Sequence, residues 1–209
     1  MNNLIDSLNW RYAVKQMNGN VIPTEKLDAI LEAIQLSPSS MGLQPYTVLV
    51  IDNPGIKENI FNNAAMQPQI KQSSHLLVFA AWESVTAESI ANYIQLIAET
   101  RSISIDSLAP FQNALGGILA RSEEVNFDWS ARQAYIALGI GMAAAAEQGI
   151  DATPMEGFNS DKLDEVLGLK AKGLKSVVLL ALGYRDTEKD HLAEAKKVRR
   201  AKEELFVTI

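Results

Sequence analysis

The residues whose types could do chemistry lie at opposite ends of this sequence. Arg11 and Lys15 sit four positions apart near the amino end, and Lys196, Lys197, Arg199, Arg200 and Lys202 place five cations in seven residues near the other. By spacing alone, the first pair fits solvated side chains, and the second a solvated face or a weak nucleic-acid patch. Residues 37–46, Ser-Pro-Ser-Ser-Met-Gly-Leu-Gln-Pro-Tyr, combine two φ-fixing prolines, a glycine and small hydroxyls. Such a backbone is rigid and poor in side chains, suited to lying against a flat ring system, and it fits an ordinary helix-to-strand connection as well. The chain has no cysteine and only two histidines, His75 and His191. That excludes disulfides and thiolate metal sites and leaves little for zinc, so any redox chemistry must be brought in by a cofactor. His75, alone at the start of an apolar run, reads as a structural group and not as a base.

The 209 residues carry a net charge of −6, which argues against broad binding to nucleic acid or anionic membranes. They contain no linker-like tract or repeat, so one domain over 1–209 is expected. The opening Met-Asn-Asn-Leu-Ile-Asp lacks a basic segment followed by an apolar one, and the apolar run 135–146 is too short to cross a bilayer. A cytoplasmic protein is the simplest expectation.

Elements that must position these residues follow from periodicity. Leu4, Ile5 and Leu8 predict a short helix that delivers residues 11–15. Thr24 reads as an N-cap for a helix carrying Leu27, Ile30, Leu31 and Ile34, and residues 47–51 as a core strand. A turn at 52–55, a short helix near 56–64 and a strand over 76–82 come next. Thr86 can cap a helix through Ile90, Tyr93, Ile94 and Ile97; another covers 108–119, broken by Gly116-Gly117. Residues 126–148 read as a long helix closed by Gly149. Within it, Gly139-Ile-Gly141-Met-Ala-Ala144 scans as a dinucleotide fingerprint, but Asp128, Trp129, Arg132 and Gln133 upstream have helical spacing and no strand precedes it. Ala137, Gly141 and Ala145 instead make a smooth face for close helix approach, as at a tight dimer interface. A helix over 160–167, a strand over 176–182 and a terminal strand over 204–209 complete a layered α/β-type pattern.

Five short matches, in order along nearly the whole chain, resemble the nitroreductase family of FMN-dependent, NAD(P)H-oxidising enzymes. They are Arg-Tyr-Ala-Val-Lys at 11–15; Ser-Pro-Ser-Ser with Gln-Pro-Tyr at 37–46; Gly-Ile-Asp with Pro-Met-Glu-Gly-Phe at 149–158; Gly-Tyr-Arg at 183–185; and Lys-Val-Arg at 197–199. The long helix also has a similar Trp-x-x-Arg-Gln-x-Tyr entry.

The resemblance implies an α+β nitroreductase fold, a central mostly antiparallel sheet surrounded by helices and completed by the C-terminal strand of the dimer partner. Two FMN sites would then lie at the interface of a homodimer. The implied flavin contacts are Arg11, Tyr12, Ala13, Lys15, Pro38, Ser39, Ser40, Gln67, Gln69, Pro154, Met155, Glu156, Gly157, Lys197 and Arg199. Arg11, Lys197 and Arg199 take the phosphate, Arg200 is a reserve, and Lys15 takes the pyrimidine edge. The Glu156-Gly157 amides face flavin N5, and Met66 stands where the family often has an asparagine, with Gln67 as substitute. Phe111 and its neighbours fall in the region that sets substrate access, although core packing serves for any one of them.

The implied activity is ping-pong hydride transfer from NAD(P)H through tightly bound FMN to nitroaromatics, quinones or similar small acceptors. No protein group serves as acid, base or nucleophile and no metal is expected. An FMN-binding protein for storage or sensing is the alternative, and bleaching by NADH or NADPH separates the two.

Overall fold

The computed structural model describes residues 4–209; Met1, Asn2 and Asn3, at the start of the segment expected to lack a leader, lie outside the described residues. Helix α1 (Leu4–Trp10) and helix α2 (Thr24–Gln35) precede strand β1 (Tyr46–Ile51). Helices α3 (Pro54–Asn63) and α4 (Pro68–Gln72) lead into strand β2 (His75–Trp82). Helices α5 (Ala87–Arg101), α6 (Ala109–Gly116) and α7 (Glu123–Glu147) follow, then strand β3 (Asp151–Met155), helix α8 (Ser160–Leu167), strand β4 (Leu174–Gly183) and helix α9 (Lys202–Leu205).

The sheet runs β1-β2-β4-β3, with every neighbouring pair antiparallel. The two central strands are apolar almost throughout because both of their faces are covered. Alternation divides their side chains. Leu77, Phe79, Val178, Leu180 and Leu182 join Ile30 and Ile34 of α2 and Ala134, Ala137 and Leu138 of α7 in one core. Leu76, Val78, Leu179 and Ala181 join Val14, Ile60, Ile70 and Leu163 in the other. Each fully buried leucine or isoleucine contributes about 1.5–3 kcal/mol, so a sheet covered on both faces anchors the helices around it.

Several expectations are corrected. Pro23, not Thr24, occupies the N-cap of α2, and Thr24 is its first helical residue. The long helix begins three residues early, where the Ser122 side chain accepts from Val125 N, so a hydroxyl cap sets its start. It is continuous through Glu147, so the glycine pair inside it opens no nucleotide loop. Strand β3 was not foreseen: Asp-Ala-Thr-Pro-Met is short and holds a proline, which an edge strand tolerates.

The small-residue face of α7 is also reassigned. Ala137, Gly141 and Ala145 are buried within the chain, and a Cβ on Gly141 would fall 2.9 Å from Ile34 Cδ1 and Cγ1. The close approach is therefore to α2 of the same chain. Gly141→Ala gains about 1 kcal/mol of helix propensity but overpacks a filled core at a cost of about 1–3 kcal/mol. A net loss near 1 kcal/mol is expected in denaturant titration, and an unchanged midpoint would contradict this packing.

Residues 204–209 do not form the expected strand. Glu204 and Leu205 belong to α9, and the chain beyond has no sheet neighbour among the described residues. Phe206, Val207 and Ile209 stand exposed, because a strand needs a ladder partner that one chain does not provide there.

Candidate flavin site

The N-terminal segment after α1 is laid down by the sheet's far end. Met17 makes an isolated antiparallel bridge to Arg185, Asn18 N donates to Tyr184 O (2.9 Å) and Asp186 N donates to Gln16 O (3.0 Å). The Val14 carbonyl accepts from Gln69 Nε2 at 2.9 Å and from Thr153 Oγ1 at 3.0 Å. The Asp190 carboxylate accepts from Lys15 N (2.6 Å), Gln16 N (3.3 Å) and Leu192 N (2.9 Å). That carboxylate folds the tail back over the amino end, so cations nearly two hundred positions apart in sequence become neighbours.

The result is a cleft of about 580 Å³ whose lining includes Arg11, Tyr12, Ala13, Lys15, Pro154, Lys197 and Arg199. Its walls are firm. Arg185 forms a buried pair with Asp151, Nη2 to Oδ1 at 2.6 Å and Nε to both carboxylate oxygens at 3.0 Å. The guanidinium lies 4.3 Å from the Trp10 ring centroid and 4.6 Å from that of Tyr12. A planar cation between two rings and a carboxylate braces the loop that carries Arg11.

The cleft is electropositive. Burial, then the Arg199 charge, hold the Arg11 guanidinium below its ordinary range. Burial, then Arg11 and Arg199, do the same for the Lys197 ammonium. Lys197 donates to the carbonyls of Leu8 and Arg11, closing the C-terminal end of α1. Arg11 Nε is buried without a hydrogen-bond partner among the described residues. Like charges crowded together with an unused buried donor fit an anion with several acceptor oxygens, such as a phosphate monoester. Burial, then the Asp190 charge, raise the pKa of the Tyr12 hydroxyl to about 12.

The other expected residues lie outside this cleft. Gln69 is buried beneath the N-terminal segment, where it holds Val14, and its Oε1 has no partner. Met155 points into the second core. Gln67 Nε2 donates to Gly157 O at 2.6 Å, and the Glu156 carboxylate accepts from Tyr135 Oη at 2.5 Å. The Glu156 carbonyl accepts from Phe158 N at 2.8 Å. Both carbonyls of this turn are thus engaged, whereas the N–H groups of Glu156 and Gly157 find no acceptor among the described residues. Two donors beside Pro154 remain for a ligand.

The Pro38–Ser40 loop is separate again. Its Ser39 Oγ accepts from Gln44 N (2.9 Å), Ser40 N donates to Gln133 Oε1 (2.7 Å), and Tyr93 Oη donates to Met41 O (3.0 Å). Met41, Gly42 and Gln44 all have positive φ, and a Cβ on Gly42 would fall 2.2 Å from Tyr93 Oη. This loop is pinned and tightly turned, as its composition foretold. It adjoins a mostly apolar groove of about 660 Å³ between α2, β1 and α5.

Asp151, Thr153, Arg185 and Asp190 were missed as site builders. The Gly-Ile-Asp and Gly-Tyr-Arg matches contained two of them without a role, and nothing local marks Asp190. Tyr12 and Tyr135 have pKa values raised to about 12, in Tyr135 by burial and then by Glu156. Because the folded values exceed the unfolded one near 10, the stabilisation they give is present below pH 10 and lost as pH climbs through 12. Burial also raises Tyr46 and Tyr93, so phenolate absorbance should show four of the five tyrosines ionising late, Tyr12 and Tyr135 among them, with stability falling across that window. Ordinary titration of Tyr12 and Tyr135 would contradict these environments.

Residues 8–184 match the model of the nitroreductase family. A Staphylococcus epidermidis protein provisionally named an NAD(P)H nitroreductase is 32% identical over 200 residues, covering 90% of each chain. The solved structure of another protein from that species, provisionally titled an NAD(P)H:FMN oxidoreductase, superposes with a TM-score of 0.87 at 22% identity, over 100% of this chain and 97% of that one. A nitroreductase-like structure from Exiguobacterium sibiricum, solved in complex with FMN, superposes with a TM-score of 0.83 at 20% identity, over 100% and 98% of the two chains. With the family model spanning most of its length and a relative above 30% identity, this chain belongs to the nitroreductase family.

Proposed function

We propose that the chain is an NAD(P)H-dependent flavin oxidoreductase that holds FMN tightly in the cleft between its two termini and reduces nitroaromatics, quinones or similar acceptors by ping-pong turnover. The observation that carries this reading is the cluster of Arg11, Lys197 and Arg199 around a cavity whose buried Arg11 Nε lacks a partner. That donor set suits the phosphate of FMN, with Lys15 and Pro154 on the same wall. The unengaged N–H groups of Glu156 and Gly157 suit the reducible edge of the ring.

Bound FMN would supply the redox chemistry, taking hydride from NAD(P)H and passing electrons to the acceptor. The chain's share is positional and electrostatic. Arg11 and Arg199 would hold the phosphate by neutralising it, and Lys15 would favour negative charge at the pyrimidine edge. The Asp151–Arg185 pair and Asp190 keep those cations in place.

Pro38, Ser39 and Ser40 do not line the cleft of their own chain. A homodimer in which one subunit's loop closes the other's site accounts for this. The exposed Phe206, Val207 and Ile209, lying beyond the phosphate-binding cations, favour a tail that adds to the partner's sheet. No described helix is long and apolar enough to cross a membrane.

The test is spectroscopic. The purified protein, supplied with FMN, should bind it and bleach on addition of NADH or NADPH, then regain colour with a quinone. Bound flavin that stays yellow with both nucleotides would leave only a storage or sensing role.

A further inference from the structure

Glu156 and Gly157 follow β3 directly, and the turn they make is held by four hydrogen bonds. Gln67 engages the Gly157 carbonyl at 2.6 Å, Phe158 N engages the Glu156 carbonyl at 2.8 Å, and Asn159 N ties the next residues to Ala64 O at 2.8 Å. The fourth hold comes from a distant element. Tyr135 Oη donates to Glu156 Oε1 at 2.5 Å, across 21 positions of sequence.

The mount of that tyrosine is rigid. Its neighbours Ala134, Ala137 and Leu138 are buried in the core against the sheet, so α7 cannot shift the hydroxyl without repacking. A hydroxyl on a carboxylate at this distance is a charge-assisted bond, about twice as strong as a neutral one. The pair lines a cavity of about 340 Å³ with Phe127, Phe158 and Ser176, whose buried hydroxyl has no partner. Left unheld, a carboxylate on a turn of exposed residues would sample many rotamers, some bringing negative charge toward the flavin edge and disfavouring reduction.

We propose that Tyr135 is a positioning residue for hydride transfer: its hydroxyl holds the Glu156 side chain against α7, keeping the Glu156-Gly157 amides aimed at the flavin and the carboxylate charge away from it. This inference rests on the flavin-oxidoreductase reading above.

Wild type, Tyr135→Phe, Glu156→Ala and the double variant are loaded with FMN, and flavin retention, midpoint potential by dye-linked reduction, and single-turnover bleaching by NADPH are measured. Tyr135→Phe should keep its FMN, bleach about tenfold more slowly and show a shifted potential, the scale of one lost charge-assisted bond. Glu156→Ala removes the same bond from the other side and stands in if the tyrosine variant folds poorly. The double variant should be no slower than the slower single one, because both delete one interaction.

Tyr135→Phe with wild-type rate and potential, losses that add in the double variant, or FMN lost from Tyr135→Phe would each overturn the proposal. Wild type that binds FMN and is reduced by the dye system but never by NADPH or NADH sinks the reductase reading instead, and the potential comparison then decides the role of Tyr135 by itself.

Discussion

A chain carrying Arg11→Ala and Arg199→Ala together leaves a gel-filtration column without flavin, while wild type retains it. Removing one partner of a close, partly desolvated charge pair costs about 2–5 kcal/mol. Two such losses against one phosphate lower affinity by roughly a thousandfold or more. The single variants should fall between, because each guanidinium contributes separately.

The fold should survive the double change. Arg199 is exposed and Arg11 only half-buried, and the Arg199 charge disfavours the neighbouring cations of Arg11 and Lys197. The flavin-free variant should therefore melt no lower than flavin-free wild type. Lys197 is the poorer target, since its ammonium also holds the carbonyls of Leu8 and Arg11, and its loss would mix binding with local unfolding. Full flavin retention by the double variant would remove the phosphate assignment.

Asp151→Ala should cost more stability than any other single change near the cleft. The carboxylate is 3% exposed and its Arg185 partner 19%, so deletion leaves a mostly buried guanidinium without its counter-charge, at about 3–5 kcal/mol. For a chain of this size that is a fall of about 10 °C in melting temperature. Asp151 also accepts from Arg185 N at 2.8 Å, so Asp151→Asn should lie between the alanine variant and wild type.

Arg185→Lys should not rescue the site. An ammonium cannot reproduce the bidentate contact or the packing against Trp10 and Tyr12. FMN affinity should fall with stability in both the Asp151 and Arg185 variants, because the pair braces the loop that carries Arg11. Thermal denaturation by circular dichroism, with flavin fluorescence as a second readout, checks both effects. A melting temperature within about 2 °C of wild type for Asp151→Ala would show the pair to be dispensable.

Much of the architecture was legible in local pattern. The strands around 47–51, 76–82 and 176–182 and the helices bearing Ile30, Ile94 and Ala137 appear close to where periodicity placed them. Turn chemistry was equally readable. Thr86 forms a full capping box with Ser89, Gly149 and Gly168 end their helices at positive φ, and the 37–46 loop is as constrained as its prolines and glycine imply. Strand β3 escaped because its residues are poor strand formers, and only pairing with β4 makes them one. The face of α7 was misassigned because small residues announce close approach without saying to what.

What the sequence by itself determined is the set of short-range choices: roughly where most helices and the three longer strands run, which loop is stiff, that no thiol serves, and which motifs resemble the nitroreductase family. Those depend on spacing over a few residues, and neighbouring side chains carry that information. Only the tertiary structure decided that Arg11 and Arg199 share a cleft, that Asp151 and Asp190 hold its walls, that Gln69 supports Val14 from below, and that Tyr135 reaches Glu156. Each of these is a contact between segments far apart in sequence, and its geometry exists only after the sheet has fixed where those segments run.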